Sequence, residues 1–324
     1  MTLTEIQRPI ERELEAFGEF FRSAMRSRIP YVDTIARYLV KRKGKQIRPL
    51  LVLLSAQICG GISERTYRGA ALVEILHTAT LIHDDVVDGA DTRRGIASIN
   101  AVWKNKIAVL MGDYLYAKGL LLSLDHDDFH FLQIISTAVK RMSEGEIHQI
   151  AKSRQLDIDE ETYIKIIGDK TASLLSTCCE IGAASATSDR SLHERMRLFG
   201  EQLGMSFQIR DDLLDYVGKK SITGKPTGLD LSEKKLTLPM IHALANAPRR
   251  EARHVLGLIK DGAKSRKALQ EVAEFVSHHG GIEYAKQKCE HYAAIARETL
   301  APFADSPDKT ALTNFIAFVV ERAK

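Results

Sequence analysis

Two short segments of the chain carry aspartates in the same DDxxD arrangement. The first runs from Asp84 to Asp88 and the second from Asp211 to Asp215, and each follows a strongly apolar stretch. Residues four apart in an α-helix lie only about 40° apart around its axis, so the outer aspartates of each segment can hold one cation between them. Magnesium prefers oxygen ligands and takes its remaining ligands from water and substrate phosphates. The two segments therefore predict a magnesium-dependent site for a diphosphate.

A solvated acidic helix end is the simpler interpretation of one DDxxD segment taken alone. Acidic residues at the C-terminal end of a helix oppose the helix dipole, however, and this interpretation must explain a placement that costs stability. Two copies, each ending an apolar helix, favour the metal site.

Basic and amide side chains that suit a diphosphate lie near both acidic segments in the sequence. Arginine is well adapted to such a group because its planar fork makes two parallel hydrogen bonds. For any one of these residues alone, a solvated surface position is the simpler interpretation, and only their co-occurrence indicates a site. The set consists of Lys45, Arg48, Arg93, Arg94, Lys170, Thr171, Gln208 and Lys225.

His77 lies seven residues before Asp84, about two helical turns away and on roughly the same face. A buried core histidine and a residue of the cavity wall are equally good interpretations of this position.

Long helices must position these residues. The interval between Pro49 and Pro226 contains no proline, and apolar residues recur within it at steps of three and four. Shorter helices are expected after residue 234, and 218–234 is predicted as a polar loop. The pattern predicts an all-α protein, a single large antiparallel helix bundle spanning residues 1–324 as one domain. The predicted helices cover about 5–25, 31–41, 48–59, 64–88, 99–123, 128–151, 160–186 and 191–217.

The composition fits a soluble globular protein. Apolar residues make up 44% and charged residues 27% of the 324 residues, and the net charge of +4 is small against 46 basic and 42 acidic residues. The four cysteines lack metal-site or disulfide spacing and are expected to be buried in a reducing compartment. No secretory signal is present and no uncharged apolar stretch approaches the length of a membrane span, so a cytoplasmic location is expected.

The most basic stretch, residues 41–48, could suggest a nucleic-acid site. It has no accompanying aromatic platform for stacking bases, so no nucleic-acid partner is expected.

The chain resembles the trans-isoprenyl diphosphate synthases, the polyprenyl synthetase family, over nearly its whole length. The resemblance rests on an ordered series of motifs, among them the two aspartate segments. The others include Gly44-Lys45-Gln46-Ile47-Arg48-Pro49, Arg93-Arg94-Gly95, Gly112-Asp113, Asp169-Lys170-Thr171, Gly224-Lys225-Pro226 and Thr237-Leu238-Pro239.

This resemblance implies the isoprenoid synthase fold with a deep central cavity, a homodimer and roles for individual residues. Isopentenyl diphosphate would be bound by Lys45, Arg48, His77 and Arg94. The allylic diphosphate would be bound by Arg93, Lys170, Gln208 and Lys225, with magnesium on Asp84, Asp88, Asp211 and Asp215. Thr171 and Asp212 would support this shell, Lys235 would reach it from the preceding loop, and Asp85 would belong to the catalytic set.

The implied reaction starts with loss of diphosphate from the allylic substrate, for which metal and basic groups neutralise the developing charge. The isopentenyl double bond attacks the cation, and a proton leaves with the released diphosphate as base. Both substrates are thus partners of the site.

Small residues at Ala79 and Thr80, five and four positions before Asp84, resemble the long-chain members. They predict hexaprenyl to nonaprenyl products, with heptaprenyl or octaprenyl as the central expectation and quinone side chains as the destination. Alternatively these residues only allow close helix packing, and a bulkier side chain closes the cavity; Tyr116, Leu120 and Leu121 are the candidates.

Two other functions share parts of this pattern. A class I terpene cyclase has an all-helical cavity and a first DDxxD, but its second metal motif usually mixes Asn, Ser or Thr with Glu. A noncatalytic subunit of a two-component synthase keeps the bundle and loses acidic or basic ligands. The second all-aspartate segment disfavours the former, and the intact motifs disfavour the latter.

Overall fold

A computed structural model describes residues 2–41, 44–93, 95–217, 235–262 and 265–322, without the side chains of residues 154, 155 and 266. Helices make up most of this part of the chain, and the all-α prediction is confirmed. The α-helices are α1 Leu3–Gln7, α2 Glu11–Met25, α3 Pro30–Lys41, α4 Ile47–Cys59, α5 Glu64–Val87, α6 Ile99–Leu124, α7 Phe129–Gln155, α8 Glu160–Ile167, α9 Ser173–Ala186, α10 Arg190–Val217, α11 Leu238–Asn246, α12 Arg249–Lys260, α13 Arg266–His278, α14 Gly281–Leu300 and α15 Pro307–Glu321.

Two of the predicted helices are interrupted. The first is divided by a 3₁₀ turn, Arg8–Ile10, because Pro9 lacks the backbone N–H that a continuous helix needs. The predicted helix over 160–186 is divided by a π-helical segment, Gly168–Ala172. In addition, α6 is kinked at Lys104, whose φ is +70°.

A small hairpin joins α5 to α6, although the sequence shows no strand alternation. β1, Thr92–Arg93, pairs antiparallel with β2, Ile96–Ala97. Gly95 adopts a φ of +75° in the turn between them. Two-residue strands are too short to leave a period-2 pattern in the sequence, which explains the difference.

The main core forms around α4 and α9, which are buried along most of their length. In α4 the five residues from Leu50 to Leu54 are fully buried, and in α9 Cys178 and Cys179 are too. Each leucine buried in this way contributes about 1.5–3 kcal/mol. All four cysteines are free and buried, which confirms their expected role as small core residues.

A second, smaller core cluster lies among α8, α11, α12, α13 and α14. The helices α10 and α14 contribute to both clusters: Leu203 and Ala293 belong to the first, and Ile209 and Cys289 to the second. Both ends of α10 are thereby held in packed surroundings. The second aspartate segment lies at the end of α10 that belongs to the smaller cluster.

One helix bears on the expectation about membrane-spanning length. Although it contains charged residues, α6 is long and apolar enough to cross a membrane, judged by length and composition alone. A core helix of a soluble protein passes the same test, so a single such helix is weak evidence for a span. Several large apolar side chains of α6 are exposed, among them Leu110 and Leu121 at 55% and 53%.

Candidate active site

The first aspartate segment ends α5, as predicted. Asp88 caps the helix with helical backbone angles, and its N–H donates to the carbonyl oxygen of Asp84 at 2.8 Å. The helix geometry therefore extends over all three aspartates. Asp84 and Asp88 are exposed, whereas Asp85 is 2% exposed and accepts a 2.6 Å hydrogen bond from Nε of Arg93. Asp85 thus fixes Arg93 and does not share the exposed face of its two neighbours.

Close packing of α5 on α6 holds this segment in place. A Cβ atom added to Gly112 would lie 2.2 Å from Nε2 of His83, so any larger residue would require the His83 ring to move. Nε2 of His83 also lies 3.4 Å from Oδ1 of Asp113. The Gly112-Asp113 motif accordingly serves as the surface on which the residue preceding Asp84 rests.

Asp84 lies in a concentration of negative charge. Its pKa is raised by partial burial and by the nearby carboxylates of Glu146 and Asp88, while Lys170 and Arg93 act in the opposite direction. A carboxylate cluster of this kind is stabilised by a bound cation. Lys170 of the π-helical segment thus acts electrostatically on the first aspartate segment.

Lys170 is held by two residues of α7 that the sequence analysis did not identify. Its Nζ lies 2.5 Å from Oε2 of Glu146 and donates to Oε1 of Gln149 at 2.7 Å. The two partners are three residues apart and so share one face of the helix. A Glu and a Gln at this spacing are common on helix surfaces, so the sequence alone gave no signal of their role.

The π-helical segment itself is pressed against α10. A Cβ atom added to Gly204 would lie 2.5 Å from Cα of Ala172, which is possible only for glycine. The N–H of Ser173 bonds to the carbonyl oxygen of Gly168, one residue beyond the α-helical partner. The consecutive residues Lys170 and Thr171 of this segment face different helices. Lys170 bonds to α7, and Thr171 bonds to α10.

A chain of hydrogen bonds extends from Thr171 into the second aspartate segment. Oγ1 of Thr171 donates to Oε1 of Gln208 at 2.8 Å, and Nε2 of Gln208 donates to Oδ1 of Asp212 at 2.7 Å. The other oxygen of Asp212 accepts from the hydroxyl of Tyr163 at 2.7 Å. Asp212 is 6% exposed. It therefore orients Gln208, which agrees with a supporting role, and Tyr163 is a further supporting residue that the sequence did not indicate.

Asp211 is the exposed member of the second segment. Its side chain is 57% exposed, and Oδ1 accepts a 3.1 Å hydrogen bond from Nη2 of Arg322, 111 residues later in the chain. Asp215, one turn further, is half-buried. The contact with Arg322 was not predicted, because nothing in a local pattern links residues so far apart.

Two cavities adjoin these residues. One of about 500 Å³ is lined by Gln46, His77, Asp85 and Arg93, with α2 on its far side. A smaller one of about 110 Å³ has a different lining. Its polar lining residues include Gln149, Lys170, Thr171, Gln208, Asp212 and Lys235. The larger cavity thus adjoins His77, predicted for isopentenyl diphosphate, and Arg93, predicted for the allylic diphosphate. The smaller one adjoins Lys170 and Gln208, both predicted for the allylic diphosphate.

The residues predicted for isopentenyl diphosphate are only partly brought together. Lys45 is exposed, and Arg48 is half-buried where it acts electrostatically on the pKa of Cys178. Gln46, between them, has a φ of +50°, which is uncommon for a residue with a side chain. Backbone strain of this kind occurs often at functional sites. Arg94 and Lys225 lie outside the described residues.

The predicted chain-length residues, Ala79 and Thr80, lie on α5 about one turn before Asp84. Ala79 is 1% exposed and packs in the main core, and Oγ1 of Thr80 donates to the carbonyl oxygen of His77 at 2.9 Å. Of the alternatives, Tyr116 packs partly against the core, whereas Leu121 is 53% exposed. Tyr116 is therefore better placed than Leu121 to close a cavity inside the bundle.

The acidic residues fit a hard divalent cation completed by substrate. Within the described residues, no three His, Cys, Asp or Glu side chains come together as a group that could hold a metal ion alone. Magnesium keeps several water ligands and is usually bound by one or two carboxylates plus phosphate oxygens. The mutually repelling carboxylates around Asp84 match that requirement.

Comparison with known proteins decides the family. A model of the family described as "Polyprenyl synthetase" matches residues 29–276. The chain belongs to the polyprenyl synthetase family. It is a prenyltransferase of the kind that condenses isopentenyl diphosphate with an allylic diphosphate, as its motifs predict, and the prediction of the isoprenoid synthase fold is confirmed.

Individual relatives are similar along their whole length. An "All-trans-nonaprenyl-diphosphate synthase (geranyl-diphosphate specific)" of Rhodobacter capsulatus is 34% identical over 98% of this chain and 97% of its own. An octaprenyl diphosphate synthase of Haemophilus influenzae is 31% identical over 99% of this chain and 98% of its own. The crystal structure of a Caulobacter crescentus polyprenyl synthase "complexed with calcium and isoprenyl diphosphate" has a TM-score of 0.90 and 32% identity, covering 100% of this chain and 98% of its own. Members of this family use a divalent metal ion.

Proposed function

We propose that this polyprenyl synthetase uses magnesium and the predicted side chains to build an all-trans product of six to nine isoprene units, as a cytoplasmic homodimer. The observation that carries the proposal is the double connection of the π-helical segment. Lys170 acts electrostatically on Asp84 of the first segment, and Thr171 is hydrogen-bonded through Gln208 to Asp212 of the second. A diphosphate lying over this segment would meet ligands from both.

The allylic diphosphate is assigned to the side of the site that contains the smaller cavity. Lys170, Gln208 and Lys235 line it, and Lys170 supplies a cation already oriented by Glu146 and Gln149. Magnesium ions would be held by Asp84 and Asp88 on one side and by Asp211 and Asp215 on the other. Lys225, outside the described residues, is assigned to the same substrate.

Isopentenyl diphosphate is assigned to the end of the larger cavity near His77. Lys45, Arg48 and Arg94 are the proposed cations for its diphosphate. Arg93 is assigned to the allylic diphosphate but also lines the larger cavity, so it would lie between the two substrates. Its Nε is fixed by Asp85. A guanidinium held in this way keeps its remaining N–H groups available for an anion without further loss of side-chain entropy.

The chemical step requires the carbon–oxygen bond of the allylic diphosphate to break. Bound magnesium supplies Lewis-acid neutralisation of the departing diphosphate. Lys170 and Arg93 add positive charge where negative charge develops, which lowers the barrier most when the groups are fixed beforehand. The isopentenyl double bond then forms the new carbon–carbon bond, and the proton lost in restoring an alkene goes to the released diphosphate.

The elongating tail needs an apolar path through the bundle, and the helix wall below Asp84 is its proposed course. Ala79 and Thr80 are small residues on that wall and would allow the tail to pass. The nonaprenyl and octaprenyl products in the names of the two relatives support a long product.

A homodimer is supported by the exposed apolar side chains of α6. Val102, Val109, Leu110, Leu121 and Leu124 are each at least 40% exposed. The four that follow the kink at Lys104 fall within a stripe of about 120° around the helix axis. Exposed apolar patches of this kind mark interaction sites, and a second copy of the chain would cover this one.

Product sizing tests the proposal. The purified protein is incubated with magnesium, farnesyl diphosphate and isopentenyl diphosphate, and the products are measured by mass spectrometry. Products of six to nine isoprene units are expected, centred on seven or eight. Consumption of farnesyl diphosphate without isopentenyl diphosphate would indicate cyclisation instead, and inactivity of the folded protein alone would indicate a subunit that needs a partner.

A further inference from the structure

Arg322, which follows α15, is bound reciprocally to the second aspartate segment. Its Nη2 donates to the carbonyl oxygen of Phe207 at 2.9 Å and to Oδ1 of Asp211 at 3.1 Å. In return, Nε and Nη2 of Arg210 donate to the carbonyl oxygen of Arg322 at 3.0 and 2.8 Å. Both the main chain and the side chain of Arg322 are thus fixed to α10.

This arginine is enclosed to a degree unusual for a surface ion pair. Its side chain is 9% exposed, and its guanidinium carbon lies 3.9 Å from the centroid of the Phe207 ring. Exposed ion pairs contribute little because both side chains lose conformational entropy when they pair. Here the stacking on Phe207 and the hydrogen bond to its carbonyl group fix the guanidinium without any help from Asp211, and the bonds from Arg210 fix the main chain of Arg322. It therefore acts as a rigid support for that carboxylate.

The hydrogen bond from Arg322 occupies one oxygen of Asp211. The side chain of Asp211 is still 57% exposed, so the carboxylate is held by one oxygen and remains accessible. A metal ligand held in this way loses less freedom when the ion binds. Residues that orient metal ligands typically affect metal affinity or activity by 10–100-fold.

We infer that Arg322 is a positioning residue that orients Asp211 for the metal–diphosphate complex. The inference rests on the proposed function, in which Asp211 is a magnesium ligand. Arg322 acts through Asp211, and neither substrate nor metal needs to touch it. The end of α15 thereby becomes part of the active site.

The test measures binding of inorganic diphosphate by calorimetry, with excess magnesium and again with EDTA. Arg322→Gln is expected to weaken binding about 10-fold in magnesium and to leave binding in EDTA unchanged. Arg322→Lys, which keeps the charge and loses the planar fork, should recover part of the affinity. Arg297→Gln is the matched control, because Arg297 forms an exposed pair with Glu290 on the neighbouring α14. It should bind like the wild type.

Circular dichroism and thermal unfolding establish that each variant is folded. Arg210→Lys is a second test of the inference. It weakens the hydrogen bonds to the carbonyl group of Arg322 and leaves the guanidinium of Arg322 intact. It should also weaken magnesium-dependent binding.

Unchanged or tighter binding by folded Arg322→Gln in magnesium would overturn the inference. An equal loss in magnesium and in EDTA would overturn it too, because that result indicates direct contact with the anion. In either case, normal chain elongation by the wild-type protein would leave the proposed function standing.

Discussion

Nζ of Lys170 lies 2.5 Å from Oε2 of Glu146, and the same glutamate raises the pKa of Asp84. Glu146 therefore connects a basic residue proposed to bind the diphosphate with an acidic residue proposed to bind metal. This contact holds Lys170 in place. If a diphosphate binds Lys170 as proposed, the carboxylate of Glu146 would still act on Asp84 and add to the negative charge that attracts a cation.

Glu146→Gln should raise the magnesium concentration that gives half-maximal activity. The variant keeps the size of the side chain but removes one negative charge near Asp84, which weakens the attraction for the metal about 3- to 10-fold. A magnesium titration of the condensation rate measures the effect. Glu144→Gln is the control, since Glu144 is exposed on the same helix and pairs with Lys140 at 3.7 Å. An identical magnesium dependence of Glu146→Gln and wild type would show that Glu146 has no influence on the metal.

Glu180 should make the stability of the protein fall as the pH rises. Burial raises its pKa to about 7 from the ordinary 4.5, against the opposing effect of Arg197. Between these two values the folded state binds more protons than the unfolded state, so the free energy of unfolding decreases with rising pH and levels off above about 7. The full effect is on the order of 3 kcal/mol.

Urea denaturation at pH 5 and pH 8 tests this expectation with Glu180→Gln. Relative to wild type, the variant should gain stability at pH 8 and lose the downward trend. Glu194→Gln is the contrasting control. The hydrogen bond from Arg197 lowers the pKa of Glu194, so replacing this carboxylate should reduce the stability at pH 8. A parallel pH dependence of Glu180→Gln and wild type would assign the trend to other groups.

Ala79→Tyr should shorten the product. A tyrosine on the wall below Asp84 would block the proposed path of the tail, and mass spectrometry would then show fewer isoprene units. Ala79 is 1% exposed, so the larger side chain also costs about 1–3 kcal/mol of stability and folding must be verified. Leu198→Tyr, at an exposed position of α10, should leave the product length unchanged. An unaltered distribution from folded Ala79→Tyr would exclude this position from the path.

Charged substitutions on the apolar stripe of α6 should dissociate the proposed homodimer. Leu110 and Leu121 are 55% and 53% exposed, and replacing both with glutamate would place two uncompensated charges in the interface. Light scattering after size-exclusion chromatography measures the mass directly. Phe129→Glu, an exposed aromatic position at the start of α7, is the comparison variant. A double variant with the same mass as wild type would place the interface elsewhere.

Most helix positions could be predicted from the sequence because the physical signals are local. The proline-free interval and the three- and four-residue apolar repeat located α4, α5 and α10 to within a few residues. The π-helical segment could not be located, because the apolar repeat runs through it as in a regular helix and its close contact with Gly204 of α10 is tertiary. A tertiary contact of this kind leaves no local pattern.

The site residues that have a local sequence pattern could also be predicted, and those that depend on tertiary contacts could not. The aspartate segments and Lys170 were recognisable because carboxylates four residues apart indicate cation binding and a basic side chain near them indicates phosphate binding. Glu146 and Arg322 were not recognised, because their importance depends on Lys170 and Asp211, residues distant in the chain. The assigned roles of the individual site residues remain predictions.

The central claim is that both aspartate segments bind the departing diphosphate through divalent ions, and the most direct test is single-turnover condensation by Asp84→Asn and Asp211→Asn. Each folded variant, saturated with farnesyl and isopentenyl diphosphates and magnesium, should form product on the order of 100-fold or more slowly than wild type. Loss of rate in both variants is the predicted result. A folded Asp84→Asn or Asp211→Asn protein that condenses the substrates at the wild-type rate would contradict the account.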